Sequence, residues 1–313
     1  MPFGAHIKTR LLRRVFSYIV LLMTKSQAFN HPQADQQNME DQTHERRFGG
    51  VARLYGDDGL KAFSAAHVLV AGLGGVGSWA LEALARSGVG EITLMDFDHI
   101  APSNVNRQLH ATQENFGKSK VQAMAERLRS INPQIRMNLI DDFLSVDNFY
   151  EHLEKHIHHP LFLVLDATDD VKMKIALAAY CEGKKDLGKS GLVSQSKKIA
   201  QKIPLILCGG AGGKLDPSRI KAMDLSKTTQ DPVLSKIRYA LRKQYGFSAD
   251  VKKKMGITAI YSDEPRQGVA TGGLACSGYG SAVTVTATFG FIAAAEALKM
   301  IKATYLKKSQ SLS

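Results

Sequence analysis

Between residues 67 and 87 the chain runs from HVLVA directly into Gly72-Leu73-Gly74-Gly75-Val76-Gly77. It continues into a segment with Trp79, Leu81, Leu84 and Ala85 at helical spacing. Few folds accept that succession. The short apolar run reads as a strand buried on both faces. The glycines then turn the chain tightly, and the segment after them reads as a helix. Gly72, Gly74 and Gly77 satisfy G-x-G-x-x-G, a pattern that lets backbone N–H groups approach phosphate at the positive end of a helix.

The same rhythm continues. Strands are predicted at 67–71, 91–96, 134–140, 161–167 and 204–208. Helices are predicted at 75–87, 118–130 and 171–181, the second of them ended by Asn132-Pro133. Apolar strands alternating with helices make an α/β fold. The expected form is a Rossmann-like, doubly wound, mainly parallel sheet with helices on both faces and a smaller C-terminal extension. Ligands in such sheets bind beyond the carboxyl ends of the strands. Residues 1–42 read as a poorly structured N-terminal extension, 43–303 as the folded domain and 304–313 as a tail. Within the domain, residues 183–202 hold six lysines against the single acid Asp186, with Gly and Ser throughout, and read as a basic insert.

The 313 residues, 44% of them hydrophobic, are enough for one sizeable core, and 22% charged residues with 9 prolines argue against wholesale disorder. A net charge of +12 favours encounter with polyanions without identifying one. The three cysteines, Cys181, Cys208 and Cys276, include no C-x-x-C pair. That fits a reducing compartment and excludes both a disulfide scaffold and a four-cysteine zinc site. The apolar run VFSYIVLLM at 15–23, behind Arg10, Arg13 and Arg14, is too short to span a bilayer. With Ser26-Gln27-Ala28 it makes residues 8–28 resemble a secretory signal; Met39, just ahead of the recognisable pattern, favours an upstream extension and a cytoplasmic protein. Residues 281–301 carry Thr284, Thr286, Thr288, Glu296 and Lys299, and read as a buried core helix rather than a span, so no stable membrane association is expected.

Glycines alone do not distinguish a dehydrogenase from a nucleotide-cleaving enzyme. Asp96, 19 residues past Gly77 at the end of the second strand, is placed for ribose hydroxyls in either. The following residues separate the two. Ser103-Asn104-Val105-Asn106-Arg107-Gln108, then Lys120 on a helix, then Asp166-Ala167-Thr168-Asp169 surround one strand-end crevice with cations and a carboxylate. A nicotinamide needs a hole. Cleavage of ATP between its α and β phosphates needs cations for the charge that builds on the leaving pyrophosphate, which suits Arg107 and Lys120. An oxygen ligand such as Asp169 suits Mg²⁺.

GLGGVGS, MDFDHIAPSNVNRQ, the lysine 13 positions after Arg107, and DATDD resemble the adenylation domains that activate ubiquitin-like and sulfur-carrier proteins, the ThiF/MoeB/HesA superfamily. HERRFGGVARLYG, ALEALARSG, CGGAGGKLDPSRIKAMDLSKTTQDP and CSGYGSAVTVTATFGF resemble its tRNA threonylcarbamoyladenosine dehydratase (TcdA/CsdL-like) branch. Together these cover roughly residues 44–302 apart from the basic insert. The resemblance implies an ATP-dependent ligase-like cyclisation of the modified tRNA base through an acyl-adenylate. In it Gly72, Gly74, Gly75 and Gly77 would cradle ATP, Asp96 hold the ribose, and Asn104 and Arg107 the phosphates. Lys120 would take the pyrophosphate and Asp169 the Mg²⁺. It further implies a homodimer in which Arg46, Arg47 or Arg53 of one protomer completes the other's site, and an association with a cysteine desulfurase or sulfur-acceptor system, for which Cys276 is the candidate thiol. The alternative within the fold is adenylation of a carrier protein's C-terminus; the carrier-protein activators' paired C-x-x-C zinc ligands are absent here, which favours the tRNA branch. Outside enzymes, a nucleotide-binding module without chemistry would have no use for Arg107, Lys120 and Asp169. Cys181 and Cys208 are expected to be packing residues, and His152, His156, His158 and His159 a solvated helix end rather than a metal site.

Overall fold

The computed structural model describes residues 32–142, 148–155, 159–184, 202–267 and 279–312. Cys276, His156, His158, the insert between 185 and 201, and the signal-like segment lie outside the described residues.

The chain divides into two compact units, residues 1–50 and 51–313. The described part of the first is helical and belongs to α1 (Pro32–Tyr55). The helix therefore begins inside the segment that the sequence leaves without structure. Its polar residues, mostly good helix formers with a proline at the start, lack the apolar stripe by which helices are recognised.

The second unit is built on a seven-stranded sheet of order β3-β2-β1-β4-β5-β7-β6. The strands are β1 (His67–Ala71), β2 (Glu91–Met95), β3 (Arg136–Ile140), β4 (Phe162–Asp166), β5 (Leu205–Cys208), β6 (Ile220–Asp224) and β7 (Thr258–Ser262). Every neighbouring pair is parallel except the edge pair of β6 and β7. Strand order reverses between β1 and β4, where the register pairs Ala71 with Asp166. This switch point splays the connecting segments apart and opens the crevice where ligands of such sheets bind.

Alternation along the strands divides the core into two faces. Val68, Val70, Ile92, Leu94, Leu163 and Leu165 face α3 (Gly77–Arg86), α4 (Lys120–Ile131) and α8 (Val283–Leu312). Leu69, Ala71, Phe162 and Val164 face α5 (Phe149–Glu154), α6 (Val171–Cys181) and α7 (Pro232–Tyr245). The remaining helix of the unit, α2 (Asp57–Ser64), buries Phe63 in the first of these layers. Central strands β1, β4 and β5 are buried throughout, which explains why they are so apolar in the sequence.

Helix α8 is long and apolar enough to cross a membrane by length and composition. In the structure Val285, Phe289, Ala293, Ala297 and Ile301, four residues apart, are buried in the core. Gly290 lets it approach α3 closely, since a β-carbon there would lie 2.5 Å from the Val76 carbonyl oxygen. The helix runs through the residues read as a tail. His159 departs from the solvated helix end expected of it: its ring packs edge-on against His67, with centroids 5.6 Å apart.

Candidate nucleotide site

The turn between β1 and α3 is fixed by backbone contacts rather than side chains. Gly72 has φ of +84°, and a β-carbon on it would lie 2.8 Å from backbone atoms of Ala167 and Thr168. A β-carbon on Gly77 would lie 1.9 Å from the Gly72 carbonyl oxygen. The Gly72 N–H donates to the Met95 carbonyl at 2.9 Å, and that of Ala167 to the Ala71 carbonyl at 2.8 Å. The carboxyl ends of β1, β2 and β4 are thus laced together around the turn. Backbone N–H groups of Gly74, Gly75 and Val76 find no acceptor among the described residues, leaving donors at a helix start for an anion.

Asp96 follows β2 and closes one side. Its Oδ2 accepts the Leu73 N–H at 2.6 Å and its Oδ1 the Asp98 N–H at 2.9 Å, so the carboxylate is locked in orientation beside the turn. Lys120, the first residue of α4, is buried. Its Nζ lies 2.6 Å from Asp98 Oδ2 and 3.5 Å from Asp96 Oδ1. The resting counterion of the expected pyrophosphate-binding lysine is therefore Asp98, a half-exposed residue to which the sequence assigned no role. Its only signal was its position two residues after Asp96. Burial and then the Lys120 charge hold His110 down at about 4, so the neighbouring ring is neutral at pH 7 and adds no positive charge.

Arg107 comes to the opposite side. Its Cγ lies 3.0 Å from where a Gly75 β-carbon would be, its Nη1 donates to Ser103 O and Asn106 Oδ1 at 2.9 and 2.8 Å, and its own carbonyl accepts the Trp79 indole N–H at 2.9 Å. The Asn104 side chain is partly committed, because its Oδ1 accepts the Ala101 N–H at 2.9 Å; its amide nitrogen is left to meet a ligand. The neighbouring Gln108 is buried with Oε1 unpartnered among the described residues, a second polar group that the sequence reading quoted but did not assign.

The three acids at and after the end of β4 have three fates. Asp166 is fully buried, accepts from Thr168 N and Oγ1, and pairs with Lys174 at 3.2 Å. Asp170 caps α6 through the N–H groups of Lys172 and Met173. Asp169 is exposed like Asp170 but, unlike it, has no partner among the described residues. A single free carboxylate, and no group of three ligating side chains among the described residues, fits Mg²⁺ that takes its remaining ligands from phosphate and water.

The structure therefore brings Gly72–Gly77, Asp96, Asn104, Arg107, Lys120 and Asp169 to one edge of the sheet. Arg46 and Arg47 are exposed on α1 in the first unit, and Arg53 is exposed on the same helix in the second. Cys181 and Cys208 are buried; burial pushes the Cys208 thiol up to about 12 and the Cys181 thiol further, so neither supplies a thiolate at neutral pH.

The ThiF family model matches residues 48–312. The chain is 42% identical over 273 residues to the tRNA threonylcarbamoyladenosine dehydratase of Escherichia coli (strain K12), a match that covers 82% of this chain and 94% of that one. It is 43% identical over 268 residues to the enzyme of the same name from Haemophilus influenzae, covering 83% and 95%. A solved structure of E. coli tRNA N6-threonylcarbamoyladenosine dehydratase, TcdA, in complex with ATP aligns with a TM-score of 0.71 at 42% identity, covering 84% of this chain and 96% of that one. The chain that carries this glycine turn and these strand-end carboxylates and cations belongs to the ThiF family, on its tRNA threonylcarbamoyladenosine dehydratase branch.

Proposed function

We propose that this protein is an ATP-dependent enzyme that cyclises threonylcarbamoyladenosine in tRNA with loss of water. The observation that carries the proposal is the convergence of the glycine turn, Asp96, Arg107, Lys120 and Asp169 on the carboxyl ends of β1, β2 and β4. Free N–H groups of the turn receive phosphate oxygens, and Asp96 accepts from ribose hydroxyls. The threonyl carboxylate attacks the α-phosphorus of ATP, the bond to the β-phosphate oxygen breaks, and pyrophosphate leaves. Arg107 and Lys120 offset the charge developing on it. As phosphate oxygens enter, they compete with Asp98 for Lys120, so the lysine exchanges one anion for another and stays paired. Asp169 would hold Mg²⁺, whose charge would offset that of the triphosphate.

In the second half of the reaction the carbamoyl nitrogen or oxygen attacks the activated carbonyl, AMP leaves, and one proton is lost. Because nucleophile and electrophile belong to one nucleoside, ring closure has the high effective molarity of an intramolecular reaction. The protein acts in the cytoplasm as a homodimer, with Arg46, Arg47 or Arg53 of one protomer reaching the other's phosphates. Any exchange with a cysteine desulfurase system runs through Cys276. The test is incubation with ATP, Mg²⁺ and tRNA carrying the modified base, followed by nucleoside mass spectrometry. The expected result is a product 18 mass units lighter, the mass of one water, with one AMP formed per ring closed. AMP release that depends on a carrier protein and leaves tRNA unchanged would transfer the proposal to the carrier-activating reaction.

Cys276→Ser is expected to retain most of this activity, since ring closure needs no covalent bond to the enzyme. A folded Cys276→Ser protein that consumes ATP but forms no cyclic product would establish a thiol step instead.

A further inference from the structure

Beyond the carboxyl ends of β5 and β7, on the same sheet edge as the glycine turn, lies a cation that the proposed chemistry has not used. Arg266 follows β7 by four residues. Its guanidinium sits against Gly210, where a β-carbon would be 2.6 Å from Nη2, and its Cζ lies 5.0 Å from the centre of the Tyr279 ring. The acids around it are committed elsewhere. Asp231 accepts from the N–H groups of Gly210 and Leu234 at 2.9 and 3.0 Å. Glu264 accepts from Leu215, Asp216 and Gln267, and Asp263 from Arg219 and Lys221. Lys214, buried beside them, spends its ammonium on the carbonyls of Gln230, Ser262 and Glu264.

Arg266 is left over. Its Nε and Nη2 are buried with no acceptor among the described residues. Buried donors are ordinarily satisfied, and an orphaned pair on a charged group calls for an acceptor beyond the described residues. These two nitrogens share one edge of the guanidinium plane, the edge that takes a carboxylate through two parallel hydrogen bonds. An open cavity of about 600 Å³ is lined by Arg266 together with Arg219, Glu264 and Gln267. The stacking ring also ties Arg266 to the nucleotide site. Two residues after Tyr279, the Ser281 carbonyl accepts from Asn106 Nδ2 at 2.8 Å, and Asn106 in turn holds Arg107.

We infer that Arg266 is the receptor for the threonyl carboxylate of the modified adenosine and presents it toward the nucleotide. The inference rests on the function proposed above and adds to it the residue that selects an acidic side chain. A second acceptor of the same charge is available on the substrate, a phosphodiester of the tRNA backbone, but it offers no reason for the paired, side-on donors.

The experiment compares the full-length protein with Arg266→Gln and Arg266→Lys. It measures ATP affinity, kcat/KM with modified tRNA, and binding of the free nucleoside N6-threonylcarbamoyladenosine, which has the carboxylate and no phosphate. Arg266→Gln is expected to lower kcat/KM for tRNA and to weaken nucleoside binding about 10- to 100-fold each, the loss of a charged hydrogen-bonded pair. Arg266→Lys should recover only part of both, having the charge without the fork, and ATP affinity should be unchanged in all three. Nucleoside binding that is equal in wild type and Arg266→Gln overturns the inference, including the case where tRNA turnover alone falls, which would assign Arg266 to a phosphodiester. Nucleoside binding lost in Arg266→Gln, with no cyclic product from the wild type, would keep the receptor and remove the proposed reaction.

Discussion

Arg107→Ala is expected to lower AMP-forming turnover by about 10²–10³, or about 3–4 kcal/mol of transition-state stabilisation. Its stem lies over Gly75, and its guanidinium donates to Ser103 and Asn106 on its own loop. Neither neighbour depends on the guanidinium for its fold. The contact that fixes the loop to α3 runs from the Trp79 indole to the Arg107 backbone carbonyl, which alanine retains. The charge, by contrast, faces a turn whose other donors are neutral N–H groups. Its attraction for the leaving pyrophosphate is therefore expected to grow as the bond breaks, so turnover should fall much more than ATP affinity. The check is turnover, ATP affinity and a melting curve on one preparation. Turnover at the wild-type rate would remove Arg107 from the chemistry, and a loss of stability matching the loss of rate would make its role structural.

The parallel half of this fold was legible because its residues announce themselves locally. HVLVA and LFLVLDA are mostly apolar because β1 and β4 lie in the middle of the sheet, covered on both faces. The far edge was not read. Strand β6, Ile-Lys-Ala-Met-Asp, alternates between buried and exposed residues on an edge, and β7, Thr-Ala-Ile-Tyr-Ser, begins and ends on hydroxyl side chains, so neither shows an apolar run like that of β1 or β5. Helix α7 was missed despite usable signals: Asp231 caps it, Pro232 is its first residue, and Val233, Leu234, Ile237 and Leu241 recur at helical spacing. The family motif that precedes it ends at Pro232, so the body of the helix carries none of the residues behind the resemblance.

At the site, the identity of the cations and carboxylates was legible and their pairing was not. Asp98 and Lys120 stand 22 residues apart, and only the bridge between His99 and Ser119 brings the start of α4 back onto the segment after β2. The consequence is chemical. A lysine already neutralised by Asp98 attracts a triphosphate less strongly from a distance than a free one would. The turn N–H groups are left to capture the nucleotide, and Lys120 engages once phosphate displaces Asp98. Arg266 was illegible for a similar reason, since its vacancy depends on neighbouring acids being taken by Leu215, Asp216, Gly210 and Leu234.

The glycines of the turn divide their work, and two single-methyl substitutions should separate it. In Gly77→Ala the new β-carbon would stand 1.9 Å from the Gly72 carbonyl oxygen, 3.0 Å from its carbon and 3.4 Å from Ala167 Cβ. The obstacle is backbone, and it cannot retreat. Gly72 is anchored through its N–H to Met95, and Leu73 through its N–H to Asp96. Helix α3 would have to move off the strand ends, at a cost of about 3 kcal/mol in stability, and its free N–H groups would move with it. In Gly74→Ala the β-carbon meets nothing nearer than Gln108 Nε2 at 3.9 Å, so unfolding should shift by less than about 1 kcal/mol. That methyl nevertheless stands where phosphate must approach the backbone. Gly74→Ala is therefore expected to keep its melting temperature and lose ATP affinity, whereas Gly77→Ala loses both. Denaturant unfolding and calorimetry on the two variants side by side decide the matter. Equal stability would contradict the close packing of α3 on the strand ends, and wild-type ATP affinity in Gly74→Ala would place the triphosphate elsewhere on the sheet edge.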